Sequence, residues 1–130
     1  MKYLLDTDSV SYALRGQGNV GARIRACQPS HLGISAITLA ELRYGADRKR
    51  SRKLHGLIDT FVASVEVVPF DEEAATEFGH IGNLLAERGT PIGDFDVLIA
   101  AHAVVLKCTL VTNNLRHFSK VHGLSVETWA

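Results

Sequence analysis

Short apolar segments alternate with longer helical ones from end to end of this chain, and that alternation restricts the fold more than any other feature. "KYLLD" (2–6), "HLGIS" (31–35), "VEVVP" (65–69), "TLVT" (109–112) and "LSVETW" (124–129) read as strands. Between them, "SVSYALRG" (9–16), "VGARIRACQPS" (20–30), "AITLAELRYGA" (36–46), "GLIDTFVAS" (56–64) and "DEEAATEFGHIGNLLAERG" (71–89) carry helical spacing, capping acids or closing glycines. A strongly apolar helix is expected over 94–106, a polar turn over "NNLRHFSK" (113–120), and a basic linker over "DRKRSRKLH" (47–55). Strands that alternate with helices imply an α/β fold with a mostly parallel central sheet covered on both faces, a three-layer α/β/α arrangement. At 130 residues, one domain spanning 1–130 is expected.

Composition narrows the classes further. Fourteen Lys and Arg balance fourteen Asp and Glu, so bulk charge points to neither nucleic acid nor membrane, and any electrostatic argument must be local. Cys27 and Cys108 match no CxxC or zinc spacing and read as free thiols of a reducing compartment. No basic-then-apolar leader and no apolar run of membrane-spanning length is present, which predicts a soluble, cytoplasmic chain.

The acids are informative because of where such a sheet puts them. Ligands of parallel α/β sheets bind beyond the carboxyl ends of the strands. Asp6 ends the first strand; Glu41 lies in the first two turns of the helix after "HLGIS". The helix that opens at Asp94 feeds "TLVT", so it must start at the same edge, bringing Asp94 and Asp96 there; Asn113 and Asn114 follow "TLVT" onto it. Each has a purely structural alternative. Asp6 can be a helix cap, and Glu41 completes a capping box with Thr38. Asp94 is placed as an N-cap and Asp96 in the first turn, where an acid gains about 0.3–1 kcal/mol from the helix dipole. Clustered carboxylates raise one another's pKa unless a cation sits among them, and no Lys or Arg of the core segments is an obvious counter-ion. Oxygen ligands without a His or Cys cluster suit Mg²⁺ or Mn²⁺ acting on phosphates. The six histidines, His31, His55, His80, His102, His117 and His122, show no ligand spacing and read as surface or satisfied core.

Two other phosphate chemistries use acids at strand ends. "LLDTDSV" fits the D-x-D-x-V nucleophile pattern of haloacid-dehalogenase-like phosphohydrolases, with Asp6 attacking, Asp8 as acid/base and Ser35 as the second motif. A third-motif lysine is missing, and Glu41 is left without a role. A phospho-receiver switch finds only Asp71 as acceptor and lacks its lysine.

Taken together, "LLDTDS", "ISAITLAELRYGA", "GTPIGDFDVLIAAHA", "TLVTNNLRHF" and "GLSVETW" resemble the PIN-domain ribonuclease toxins of bacterial VapBC toxin–antitoxin pairs, in order and at the right spacing from Lys2 to Trp129. The resemblance implies Asp6, Glu41 and Asp96 as catalytic acids and metal ligands, with Asp94 at a variable position. It places the fourth acidic position of the wider fold at Asn114, a weaker ligand suited to holding a water, and gives Asp8 a supporting role. It implies Mg²⁺-dependent (or Mn²⁺-dependent) hydrolysis of phosphodiesters in structured RNA, often tRNA, inhibiting translation when free of antitoxin. It further implies a VapB-type antitoxin that blocks the acidic pocket, and a homodimer that forms a heterotetramer or larger assembly with it. With that function, Arg43, Arg48, Lys49, Arg50, Arg52 and Lys53 become candidate RNA-backbone contacts, as does Arg116, with His117 beside it.

Overall fold

The computed structural model describes residues 1–130. Five strands, β1 (Tyr3–Leu5), β2 (Leu32–Ser35), β3 (Glu66–Val68), β4 (Thr109–Val111) and β5 (Val126–Glu127), form one sheet in the order β3-β2-β1-β4-β5. Every pairing is parallel. The expected α/β sheet is therefore present, and it is wholly rather than mostly parallel. Leu4 and Leu5 of the central strand are both fully buried, one on each face. That double burial explains why this strand is uniformly apolar instead of alternating.

The helices are α1 (Thr7–Leu14), α2 (Val20–Ala26), α3 (Ala36–Arg48), α4 (Arg52–Val62), α5 (Glu72–Glu87), α6 (Asp94–Leu106) and α7 (Leu115–Phe118), with a 3-10 turn at Pro29–His31. On one face, Leu5, Ile34 and Val111 pack against Val10, Val20, Leu42, Ala46 and Ile58 of α1–α4. On the other, Leu4 and Leu110 pack against Ile81 and Leu85 of α5, α6, and Phe118 of α7. The apolar segment 94–106 is buried on nearly all sides, its alanines letting α5 and the sheet approach closely.

Several boundaries differ from the sequence expectation for identifiable reasons. α1 starts at Thr7, because the Asp6 carboxylate caps it directly at the end of β1. "DRKRSRKLH" is no linker: α3 runs to Arg48 and α4 opens at Arg52, capped by the Ser51 hydroxyl, so only a tight turn through Arg50 (φ +49°) separates them. The "NNLRHFSK" turn contains α7, which inserts Phe118 into the core. The last strand is reduced to two residues. Ser35, not Thr38, caps α3, so no capping box involves Glu41. Asp94 is the first helical residue of α6 rather than its cap; Gly93 holds that position at φ +94°, ψ 145° without any side-chain bond. Cys27 and Cys108 are unpaired, and no helix is long and apolar enough to cross a membrane.

Candidate active site

The strand order reverses at β1 and β4: the chain leaves β1 toward β2 and β3 and returns to β4 on the other side. A crevice beyond the carboxyl ends of such a strand pair is where α/β sheets bind ligands. Asp6 sits there, only 4% exposed. One carboxylate oxygen accepts the Ser9 amide at 2.8 Å, and the Ser9 hydroxyl donates to the Val111 carbonyl at 3.1 Å, fastening α1 across β4. Burial pushes the Asp6 carboxyl above its ordinary value; hydrogen bonds from Thr112 and Ser9 pull it back, and Asp8 adds like charge.

Glu41 reaches the same edge from the second turn of α3. Thr7, at the start of α1, donates its hydroxyl to Glu41 Oε1 at 2.6 Å and lies 3.4 Å from the Thr38 hydroxyl. Asp96 comes from the first turn of α6, where Gly93 sets the entry angle of the helix. Its carboxyl is pushed up to about 6, first by burial and then by the charges of Glu41, Asp6 and Asp8, against the opposing pull of His117. The His117 Nδ1 atom is 3.1 Å from Asp96 Oδ2, yet it makes no well-aligned hydrogen bond; the contact is one of charge proximity. Asp94, by contrast, is exposed and outside this group.

α3 and α6 are also clamped together behind the acids. The Ser35 hydroxyl, which accepts the Ile37 amide, lies 2.8 Å from Nδ1 of fully buried His102, whose ring meets Phe70 edge-on. His102 is thus a satisfied core histidine, and Ser35 is occupied by capping rather than by phosphate chemistry. Asp71 is likewise the cap of α5, accepting the Ala74 amide at 3.0 Å, which removes the receiver reading's only phospho-acceptor.

The other candidate residues separate into two groups. Asp8 is exposed in the first turn of α1, close enough to act through charge on buried Asp6 and half-buried Asp96. Asn114 caps α7, its side-chain oxygen accepting the His117 amide at 3.3 Å, and with Arg116, His117 and Lys120 it lines a wholly polar cleft of about 280 Å³. Arg43 is tied to Asp59 at 2.6 Å and to His55 at 3.0 Å, so it braces α3 against α4. Arg48, Lys49, Arg50, Arg52 and Lys53 are exposed, and Lys49 shares a small cavity with Arg15 and Glu41. Sequence reasoning missed Thr7, Thr112, Lys120 and the approach of His117 to Asp96. The His117 contact depends on α7, whose signal was one apolar residue, Phe118, in a polar stretch.

The donor set suits a hard divalent cation. No three of the His, Cys, Asp and Glu side chains close into a ligand cage. Mg²⁺ does not require one, since it keeps several waters and takes one or two carboxylates plus substrate phosphate. Burial raises Asp96 most, and the like charges of Glu41, Asp6 and Asp8 add to it against the pull of His117; a cation among the acids would offset that cost.

Comparison with known proteins identifies the family and the fold. The family profile described as "PIN domain" matches residues 3–124. The tRNA(fMet)-specific endonuclease VapC of Shigella flexneri is 36% identical over 132 residues, covering 100% of this chain and 99% of that protein. The enzyme of the same name from Salmonella typhimurium is 34% identical, covering 99% and 98%. Among solved structures, DNA-bound VapBC from Salmonella typhimurium superposes with a TM-score of 0.94 at 34% identity, covering 100% of this chain and 99% of that one. VapBC2 from Rickettsia felis, bound to a fragment of promoter DNA, gives 0.90 at 31% identity with both chains fully covered.

Proposed function

The chain belongs to the PIN-domain family, among its VapC ribonucleases, and from that footing we propose that Asp6, Glu41 and Asp96 form the active site of a toxin endoribonuclease that cuts tRNA and is held in check by a VapB-type antitoxin. The observation that supports the site assignment is that Asp6, Glu41 and Asp96 come from three separate segments to one sheet edge, where Glu41 and Asp6 add like charge to an Asp96 already raised by burial.

Asp6, Asp96 and Glu41 would hold Mg²⁺ (or Mn²⁺); Thr7 takes one Glu41 oxygen and leaves the other open. When bound, the cation supplies Lewis-acid polarisation of the phosphoryl group and of water. The protein supplies placement. Asp6 is fixed by the Ser9 amide and the end of β1, so its carboxylate pays little ordering entropy on binding. Glu41, oriented by Thr7, retains an oxygen to receive the proton of the attacking water. His117 sets its imidazole 3.1 Å from Asp96, at the edge where the phosphate would lie. In-line attack by water leaves a 5′-phosphate and a 3′-hydroxyl. The exposed Arg48–Lys53 stretch and the Arg116 cleft flank the acids as RNA-backbone contacts. Release from antitoxin would free the acidic crevice and stop translation; the partnered form is a heterotetramer or larger, built on a homodimer.

The test is cleavage of bulk tRNA by antitoxin-free protein in Mg²⁺, Mn²⁺ or chelator. Discrete cuts that need the metal, reduced at least about 100-fold by Asp6→Asn or Asp96→Asn, a loss of the size that removing one charge-stabilising group produces, are expected. Asp94→Asn should leave them intact. Equal loss with Asp94→Asn would overturn the ligand assignment. Turnover of a generic phosphomonoester without RNA cleavage would return Asp6 and Asp8 to a phosphatase role.

A further inference from the structure

Two large aromatic side chains stand in solvent at the acidic crevice. Tyr44 is 70% exposed and Phe95 55%, the highest exposures of any large hydrophobic side chains in the molecule. Both positions follow from the catalytic ones. Tyr44 lies three residues beyond Glu41, on the same face of α3, and Phe95 immediately precedes Asp96 in α6. Together with Thr7, Ala40 and Glu41 they line a groove of about 570 Å³. Other rings either pair within the fold (Tyr3 with Trp129, Phe70 with His102, His117 with Phe118) or pack against the core, as Tyr12, Phe61 and Phe78 do. Tyr44 and Phe95 pair with no ring, so each keeps a face available.

We propose that Tyr44 and Phe95 form a stacking platform for an unpaired nucleobase next to the cleaved phosphate, so that the groove selects single-stranded or flipped-out RNA. The inference rests on the nuclease reading of the acids and deepens it by naming what lies beside the scissile bond. The chemistry of the groove favours a base over the alternatives. A phosphate there would face the Glu41 carboxylate, whereas a base is neutral. A buried apolar helix seam needs anchors at successive helical turns, and this groove offers only two rings and Ala40, together with a Thr hydroxyl and a carboxylate. Those polar groups suit the hydrogen-bonding edge of a base whose face is stacked. Sequence-tolerant stacking on aromatic rings is how proteins hold unpaired strands.

The experiment uses Tyr44→Ala and Phe95→Ala, with Tyr44→Phe and Phe95→Trp as ring-preserving controls. Binding of fluorescein-labelled octa-adenylate RNA is measured by anisotropy on the Asp96→Asn background, so that no strand is cut. An octamer abasic throughout is the second probe. Each alanine variant is expected to weaken octa-adenylate binding by about 5- to 150-fold, the equivalent of the ~1–3 kcal/mol that a base–aromatic stack contributes. The ring-preserving variants should bind as the parent does, and the abasic strand should bind weakly to all of them alike. On the wild-type background, KM for bulk tRNA should rise by a similar factor, with a smaller change in kcat. Unchanged octa-adenylate affinity in both alanine variants overturns the platform, and if tRNA is still cut, the nuclease reading survives it. Ring-dependent RNA binding by a wild type that cuts no tRNA leaves a base-stacking surface but overturns both the nuclease reading and the platform's place beside a scissile bond. Unaltered RNA binding, with weakened capture of a co-expressed antitoxin, assigns the groove to protein and overturns the proposal.

Discussion

Asp6 and Asp96 are held where a carboxylate is costly. Both are pushed above the ordinary value chiefly by burial, and Asp96 sits at about 6 with three acids acting on it. A raised carboxyl favours the folded state only while it is protonated: its contribution is full below about 3.8 and is lost as pH rises through about 6. In chelator, therefore, Asp96→Asn should melt at a higher temperature than wild type at pH 7–8, and the gap should close between pH 6 and 4. Adding Mg²⁺ at pH 7 should narrow it, because the wild type gains binding energy that the variant does not. Thermal melts across that pH range decide the matter; a gap independent of pH would show that Asp96 bears no such strain. His102, which burial keeps below its ordinary value, loses stability in the opposite direction as pH falls below about 6.5, but it is common to both proteins and cancels in the difference.

At the scale of elements, placement of the site depends on how three helices begin. α1 begins on the Asp6 carboxylate, α3 on Ser35 straight out of β2, and α6 on Gly93 at φ +94°. Only glycine occupies that last conformation without strain, so Gly93→Ala should cost about 1–3 kcal/mol by denaturant melt. It should also lower cleavage more than the destabilisation explains, because the first turn carrying Asp96 is re-aimed. Wild-type stability and activity in Gly93→Ala would refute that dependence. These starts also mark what the sequence could disclose. The strands, the run of α6 and the edge to which Asp6, Glu41 and Asp96 belong were legible, because β-branched and apolar runs report burial and a parallel sheet has one functional edge. Asp94 was misplaced as a cap because a side chain that can cap is visible in a sequence, whereas a positive φ at the preceding glycine is not. Thr7 and His117 were hidden for another reason. Their roles are contacts across 34 and 21 residues of chain, and neither residue type is distinctive.

Across the whole molecule, a net charge of zero conceals local imbalance: Asp6, Asp8, Glu41 and Asp96 lie at the crevice while Arg48, Lys49, Arg50, Arg52 and Lys53 crowd the α3–α4 turn. If that turn holds RNA backbone, the tRNA KM should rise with salt, and Lys49→Ala or Arg50→Ala should each reduce the log–log slope by roughly 0.7–0.9. Arg43→Ala should loosen α3 from α4 and lower the melting temperature instead, since its guanidinium is already bound by Asp59 and His55. Slopes identical to wild type in all the variants of the turn would place the RNA elsewhere. The sheet topology has a consequence in time as well as in space. β1, made first, is flanked by β2 and by β4, and the crevice exists only where β1 meets β4. At about 5–20 residues per second of synthesis, Asp6 is made roughly 5–20 s before the strand that completes its surroundings. A nascent copy therefore lacks the crevice until β4 has been made and has paired with β1.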